Sequence, residues 1–144
     1  MNHQGFSLIE IVFVIAIIAI FASFAYPGYR ESIVRARRVD GQIALIELAN
    51  QMENYYSKQQ SYQGATLGTG SETDVLSSNQ SAQRWYSLAI SHQSSKDYHL
   101  IAIPQGAQAL EDNACKTLHL DNFGRKSASS ATNGPPKREA GNCW

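Results

Sequence analysis

Between Phe6 and Tyr29 the chain reads FSLIEIVFVIAIIAIFASFAYPGY. From Ile11 to Tyr29 it carries no charge, and about 20 apolar residues are what a helix needs to cross a bilayer. Glu10 stands near the start of the run. An ionised carboxylate in apolar surroundings is costly unless paired, so Glu10 requires either the membrane surface or a partner in an assembly. Three processing routes fit these residues. Met1–Ala25 can be a secretory signal, since Ser23-Phe24-Ala25 has the small-x-small form of a cleavage site. Against this, Met1–Gly5 contains no Lys or Arg, and Pro27 follows the cut closely. The run can instead be a permanent anchor. In the third route Met1-Asn2-His3-Gln4-Gly5 is removed and the apolar run is kept.

Past the run the pattern stays helical to about Ser57. Ile33, Ala36, Val39, Ile43 and Ile46 recur at three- and four-residue spacing, and a second apolar line runs through Leu45, Leu48, Met52, Tyr55 and Tyr56. Glu31, Arg35, Arg38, Glu47 and Glu53 lie between them. The first half of the helix is thus apolar all round and the second half amphipathic. Unbroken, it would extend about 75–80 Å. Pro27 removes a backbone donor and predicts a bend; Gly28 and Gly41 weaken the helix further. An apolar half-helix of this kind is insoluble alone and needs a bilayer or copies of itself.

The remainder is polar, because much of the chain's 43% hydrophobic content sits in the N-terminal run. Residues 58–79 read as a Gly/Ser-rich loop. Tyr86, Leu88 and Ile90 alternate with polar or small residues as in a half-buried strand. Tyr98–Ile103 is a second strand ended by Pro104, and Thr117–Leu120 a third leading into a turn at Asp121-Asn122-Phe123-Gly124. Arg125–Ser127 pairs back, and Ser127–Trp144 is a polar tail. The expected class is α+β: a long N-terminal α-helix, bent near Pro27, packed against a small antiparallel β-sheet head. Lys+Arg and Asp+Glu number 12 each, so no strong basic excess calls for a nucleic-acid partner. Cys115 and Cys143 allow one intrachain pairing. If the head lies outside the cytoplasm a disulfide is the expected state, worth about 3–4 kcal/mol by chain entropy.

Gly5-Phe6-Ser7-Leu8-Ile9-Glu10 resembles the cleavage motif of type IV prepilins, Gly followed by Phe-Thr-Leu-Ile-Glu, with Ser7 keeping the hydroxyl. Tyr26-Pro27-Gly28-Tyr29 is similar to the family's Tyr-Pro-x-Tyr, with Pro27 where pilins carry a helix-bending proline. The stretch Cys115–Gly124 is similar to the Cys-x-x-Leu-x-Leu-x-x-x-Gly of some minor pilins, as is the Cys143-Trp144 ending. The resemblance is to a type IVa, minor-pilin-like prepilin with the pilin fold. It implies a leader at 1–5, a transmembrane and filament-core half-helix at 6–29, an amphipathic half-helix at 30–57 and a disulfide-closed head at 58–144.

The same resemblance implies cleavage between Gly5 and Phe6, N-methylation of Phe6, and pairing of Glu10 with the Phe6 amine of a neighbouring subunit. Its implied partners are other pilin subunits, a prepilin peptidase-methylase and the inner-membrane assembly machinery. The place would be the inner membrane, then the pilus outside the cell. Arg30, Arg35, Arg37 and Arg38 after the run would, by charge alone, put that side in the cytoplasm; the motif implies the reverse orientation. The function implied is that of a structural pilus subunit serving assembly, twitching motility, adhesion or DNA uptake. The alternatives are a pseudopilin of type II secretion or a DNA- or surface-binding module.

No enzyme, cofactor or metal is expected. His3, His92, His99 and His119 lack metal spacing, and neither a phosphate loop nor a dinucleotide fingerprint occurs. Arg125-Lys126 and Lys137-Arg138 could touch DNA phosphates, but two exposed basic pairs are usually just a solvated face. Arg35, Arg37 and Arg38 are expected to meet acidic residues of neighbouring subunits or solvent. Trp85, Tyr86 and Trp144 are expected in the core or at the edge of the head.

Overall fold

The computed structural model describes residues 7–132, 134–137 and 141–144. The leader residues and the Gly5–Phe6 junction lie outside them. The chain divides into two compact units, Met1–Ile33 and Val34–Trp144, and the helix α1, Leu8–Gln59, contributes to both.

In the first unit the described residues from Leu8 to Phe24 are exposed on every side of the helix, including Leu8, Phe13, Ile18 and Phe21. This helix is long and apolar enough to cross a membrane, by length and composition. The backbone is helical through Pro27, and the side chains of 25–27 lie outside the described residues.

The second unit is a sheet packed on the C-terminal part of α1. Strands β1 (Thr66–Leu67) and β2 (Asp74–Leu76) form a short parallel pair, and β3 (Tyr86–Gln93), β4 (Tyr98–Pro104), β5 (Thr117–Asp121) and β6 (Lys126–Ser129) an antiparallel sheet in that order. A short helix α2, Gly106–Glu111, connects β4 to β5. β4 alternates strictly, with Tyr98, Leu100, Ala102 and Pro104 buried, as the two-residue period of a strand requires. The core joins these to Ala44, Leu45, Leu48 and Met52 of α1, Tyr86 and Leu88 of β3, Leu118 and Leu120 of β5, and Ala128 of β6. Burial of each large aliphatic here is worth about 1.5–3 kcal/mol.

Several expectations change. The segment 58–79 is not structureless. Tyr62 and Ala65 belong to the buried core, with Leu67, Val75 and Leu76 packed against it. Asp74 accepts from the hydroxyls of Thr66 and Thr69 and from the amides of Thr69 and Gly70 at 2.6–2.8 Å, which ties the loop together. Those bonds, led by Thr66, hold its carboxyl below the ordinary range. Gly41 is not merely a weak point in α1. A Cβ there would stand 2.7 Å from the Tyr86 ring, so glycine is what lets that fully buried ring lie against the helix backbone.

The arginine cluster is also corrected. Arg37 pairs with Glu111 at 2.9 Å and lies 4.2 Å from the Trp85 ring. Arg38 is buried and pairs with Asp112 at 2.9 Å. Asp112 further accepts from Gln108 Nε2 and from the Cys115 amide, both at 3.0 Å, and Gln108 also donates to the Tyr86 hydroxyl. A buried ion pair whose remaining oxygens are hydrogen-bonded is tolerable where a bare one is not. These intrachain partners fix α2 and the entry to β5. Cys115 and Cys143 are joined by a disulfide, their Cα atoms 5.5 Å apart. Arg38 and Gln42 donate to the carbonyls of Asn142 and Cys143, so the C-terminus is held by α1 as well as by sulfur.

Candidate functional site

The first candidate is the apolar helix of the first unit. Glu10 lies in its first turn, exposed. A carboxylate there is favourably placed toward the positive end of the helix dipole. Glu10 shares a surface hollow with Ile11, Val14 and Ile15.

The second candidate lies where two hairpin tips of the sheet meet. In the β3–β4 turn the Ser94 amide donates to the Asp97 carbonyl, and the Ser94 hydroxyl to the Asp97 carboxylate at 2.6 Å. His92 Nε2 lies 2.9 Å from the same carboxylate. The Ser94 bond above all, with His92 adding, lowers the Asp97 carboxyl pKa. Lys96 is exposed at this tip.

The β5–β6 turn is organised by Asp121. Its carboxylate accepts from the amides of Phe123 and Arg125 at 3.0 and 2.9 Å and from Arg125 Nε at 2.6 Å. The Gly124 amide closes the turn on the Asp121 carbonyl, and Gly124 itself has φ +72°. A type of hairpin loop in which a glycine in the left-handed region follows the turn needs such a residue there. The Asn122 amide donates to the Tyr98 carbonyl, tying this tip to the start of β4 and so to the neighbouring turn. Phe123 is 74% exposed, with the Arg125 guanidinium 5.0 Å from its ring.

Lys126 follows, its ammonium 5.0 Å from the Trp144 ring. Lys137 is bridged through its backbone to Ala128 of β6. Of the basic pairs expected from sequence, the structure therefore brings Arg125, Lys126 and Lys137 together along the β6 edge. Arg138 lies outside the described residues. Lys96 joins them from the adjacent tip, and nothing in its own sequence neighbourhood signalled that. Among the described residues at these two tips, the carboxylates of Asp97 and Asp121 are occupied by their turns. This arrangement can neutralise phosphates and offer an aromatic face.

A third feature lies on the outer face of the sheet. His99 and His119 stack with ring centroids 5.2 Å apart. They sit with Ser91, Ile101 and Gly134–Pro136 around a space of about 510 Å³. His119 is buried, and among the described residues neither ring nitrogen has a hydrogen-bond partner. Burial first, then the His99 ring, push its pKa down to about 4. Among the described residues no group of three or more His, Cys, Asp or Glu could hold a metal ion.

With this geometry in hand, comparison places the chain. Residues 27–119 match the family described as type IV minor pilin ComP, DNA uptake sequence receptor. Residues 1–26 match the prokaryotic N-terminal methylation motif. The Neisseria meningitidis non-core minor pilin PilV, solved by crystallography, is similar at 19% identity with a TM-score of 0.52, over 72% of this chain and 93% of that one. That likeness is one of fold: a long N-terminal helix with a small antiparallel sheet, α+β. No curated protein sequence matches the chain.

Proposed function

Since the chain belongs to the family of the type IV minor pilin ComP, we propose that it is the pilus subunit that captures DNA for uptake. It is a minor pilin with an N-terminal methylation motif and an apolar helix, features of a pilin precursor in the membrane. Its family and fold are those of a structural subunit rather than of an enzyme.

The observation that carries the DNA reading is the family match across residues 27–119, whose description names a DNA uptake sequence receptor. The exposed cations Lys96, Arg125, Lys126 and Lys137 at one end and edge of the sheet support it, as phosphate contacts dominate DNA affinity. A zero net charge then means a local patch, not a globally basic surface. The test is binding of labelled duplex DNA by the full chain in nonionic detergent across a salt series. Affinity should fall as salt rises, with a slope that drops by about one on Lys96→Ala. Absence of binding at low salt would remove the DNA role and leave the pilin assignment standing.

On this reading the leader is cut between Gly5 and Phe6 by a peptidase-methylase and the Phe6 amine is methylated. The mature chain waits in the inner membrane and enters the pilus through its helix. Glu10 pairs there with the Phe6 amine of a neighbouring subunit, which spares an unpaired carboxylate in an apolar filament core. Glu10→Gln keeps the shape and removes the charge. Processing should persist while the share of subunit in sheared filaments falls; equal incorporation would discard the pairing.

A further inference from the structure

We infer that Phe123 is a base-stacking residue, the aromatic tip that engages a nucleobase once the surrounding cations hold the phosphates. This rests on the proposed DNA reading and adds to it a contact made with the bases.

An exposed aromatic ring alone means little. Here four observations meet at one turn. Phe123 is outside the head's hydrophobic cluster and 74% exposed, so the fold gains almost no burial from it. It sits at the apex of a hairpin, the part of a sheet that can reach into a groove or between splayed bases. Its position is pre-set: the Asp121 carboxylate binds the Phe123 amide, the Arg125 amide and Arg125 Nε together. The turn backbone that carries the ring then has little freedom left to lose on binding, which favours affinity. Finally, Arg125 lies over the ring at 5.0 Å, Lys126 opens the strand that follows the turn, and Lys96 is exposed on the adjoining turn, which the Asn122 amide ties to this one through the Tyr98 carbonyl.

Proteins that hold DNA by its backbone use the same pairing of elements. Cations follow the phosphates, and an aromatic face stacks on an unpaired base or wedges into a base step of a duplex. Both sources present the same chemistry to Phe123, a nucleobase π-face. Because every base has one, the contact adds affinity without by itself specifying sequence.

The test uses the full mature chain in nonionic detergent with two probes, a short mixed-sequence duplex carrying 2-aminopurine and the same labelled strand unpaired. Wild type should bind and change the 2-aminopurine emission. A change in both probes marks a wedge that opens the duplex, and a change in the single strand alone marks stacking on unpaired bases. Phe123→Ala should weaken binding about tenfold and abolish the emission change, while the salt slope stays at the wild-type value. Phe123→Trp should restore both. Lys96→Ala should reduce the slope and keep the emission change.

Wild-type affinity and emission in Phe123→Ala, with wild type binding DNA, would overturn the inference and leave the DNA reading intact. Loss of filament incorporation in that variant, with DNA binding untouched, would likewise overturn it in favour of a subunit contact. Failure of wild type to bind either probe would remove the DNA reading and this inference together. The exposed position makes misfolding easy to detect, since an intact Cys115–Cys143 disulfide and an unchanged unfolding midpoint accompany a sound variant.

Discussion

Within the head, α1 has two apolar faces with opposite fates. Leu45, Leu48 and Met52 are wholly buried against the sheet, whereas Val39, Ile43 and Ile46 remain 46%, 60% and 43% exposed. Both sets recur at helical spacing, and both consist of residues that would be equally at home in a core. The difference lies in what the rest of the chain can reach. One sheet covers one face of a helix, and the other face stays exposed among the described residues. The fold explains the buried line of residues; the exposed line is not explained by burial within the head.

The strongest way to sharpen that contrast is to cut into the covered face. Leu48→Ala removes a fully buried side chain between helix and sheet and should lower head stability by about 2–5 kcal/mol. Denaturant unfolding followed through Trp85 and Trp144, with the disulfide intact, measures it. A loss under about 1 kcal/mol would mean that the core collapses easily around the site, and that the two faces differ less than their exposure suggests.

The sheet has two faces as well, and its outer one supplies the next effect. His119 is buried there, and among the described residues both its nitrogens are unpartnered. Its neighbours are His99 from β4, with Asp121 acting on His99, and the Ser91 hydroxyl from β3, which is 2.8 Å from His99 Nδ1. Gly134–Pro136 of the C-terminal segment lines the same space and brings no charge. A folded pKa of about 4 against an unfolded value of 6.5 means the unfolded chain binds more protons between them. Stability is therefore complete above about pH 6.5 and falls as the pH drops toward 4, by up to about 3 kcal/mol. His99, shifted down mainly by burial, adds in the same direction. Unfolding midpoints measured from pH 7 to pH 4 should show this slope, and His119→Leu should flatten most of it. An unchanged slope in that variant would assign the acid sensitivity elsewhere.

Gly41 tests the covered face from the opposite direction, by overfilling it. Alanine favours helix over glycine by about 1 kcal/mol, so Gly41→Ala on an open face would stabilise. The Tyr86 ring lies 2.7 Å from where the Cβ would go, and overpacking costs about 1–3 kcal/mol. The expected net result is a destabilisation of about 1 kcal/mol, read as a lower unfolding midpoint. A rise in midpoint would mean that Tyr86 moves aside freely and is less constrained than its full burial implies.

Legibility in the sequence follows the range of the forces involved. The two apolar lines on α1, the strands at 86–93, 98–104, 117–121 and 126–129, and the turn at Asp121–Gly124 are periodic or local signals, and all appear close to where the pattern places them. What periodicity could not say is which apolar line is covered, since that depends on a sheet more than thirty positions away. The short helix α2 was missed because its anchors are polar. Gln108 is wholly buried, and Asp112 meets Arg38 across 74 positions of sequence. The parallel pair β1–β2 was missed because its strands of two and three residues are too short to show a period, and much of what holds them is the hydrogen bonding of Asp74 to nearby hydroxyls and amides. The turn that carries Phe123 was readable; the gathering of Lys96 beside it was not, because it depends on strand order.

The smallest expected effect on stability is the one that addresses the uncovered face directly. Val39, Ile43 and Ile46 follow one another at spacings of four and three, so they form one continuous stripe. Ile43 is the most exposed of them, at 60%. Substituting serine there removes apolar surface that is mostly in water already, so head stability should change by no more than about 0.5 kcal/mol. Solubility of the detergent-free head surface should, if anything, improve. If the stripe is an intersubunit surface, the loss appears in assembly instead. Ile43→Ser chains should be processed and held in the membrane at wild-type levels while their share in sheared filaments declines. Comparing that share for Ile43→Ser with a control at Glu47, exposed on the same helix and changed to Gln, separates loss of apolar contact from general disturbance of the surface. Equal incorporation of Ile43→Ser and wild type would show that the line through Val39, Ile43 and Ile46 is simply exposed. The contrast between the two faces would then be one of fold alone.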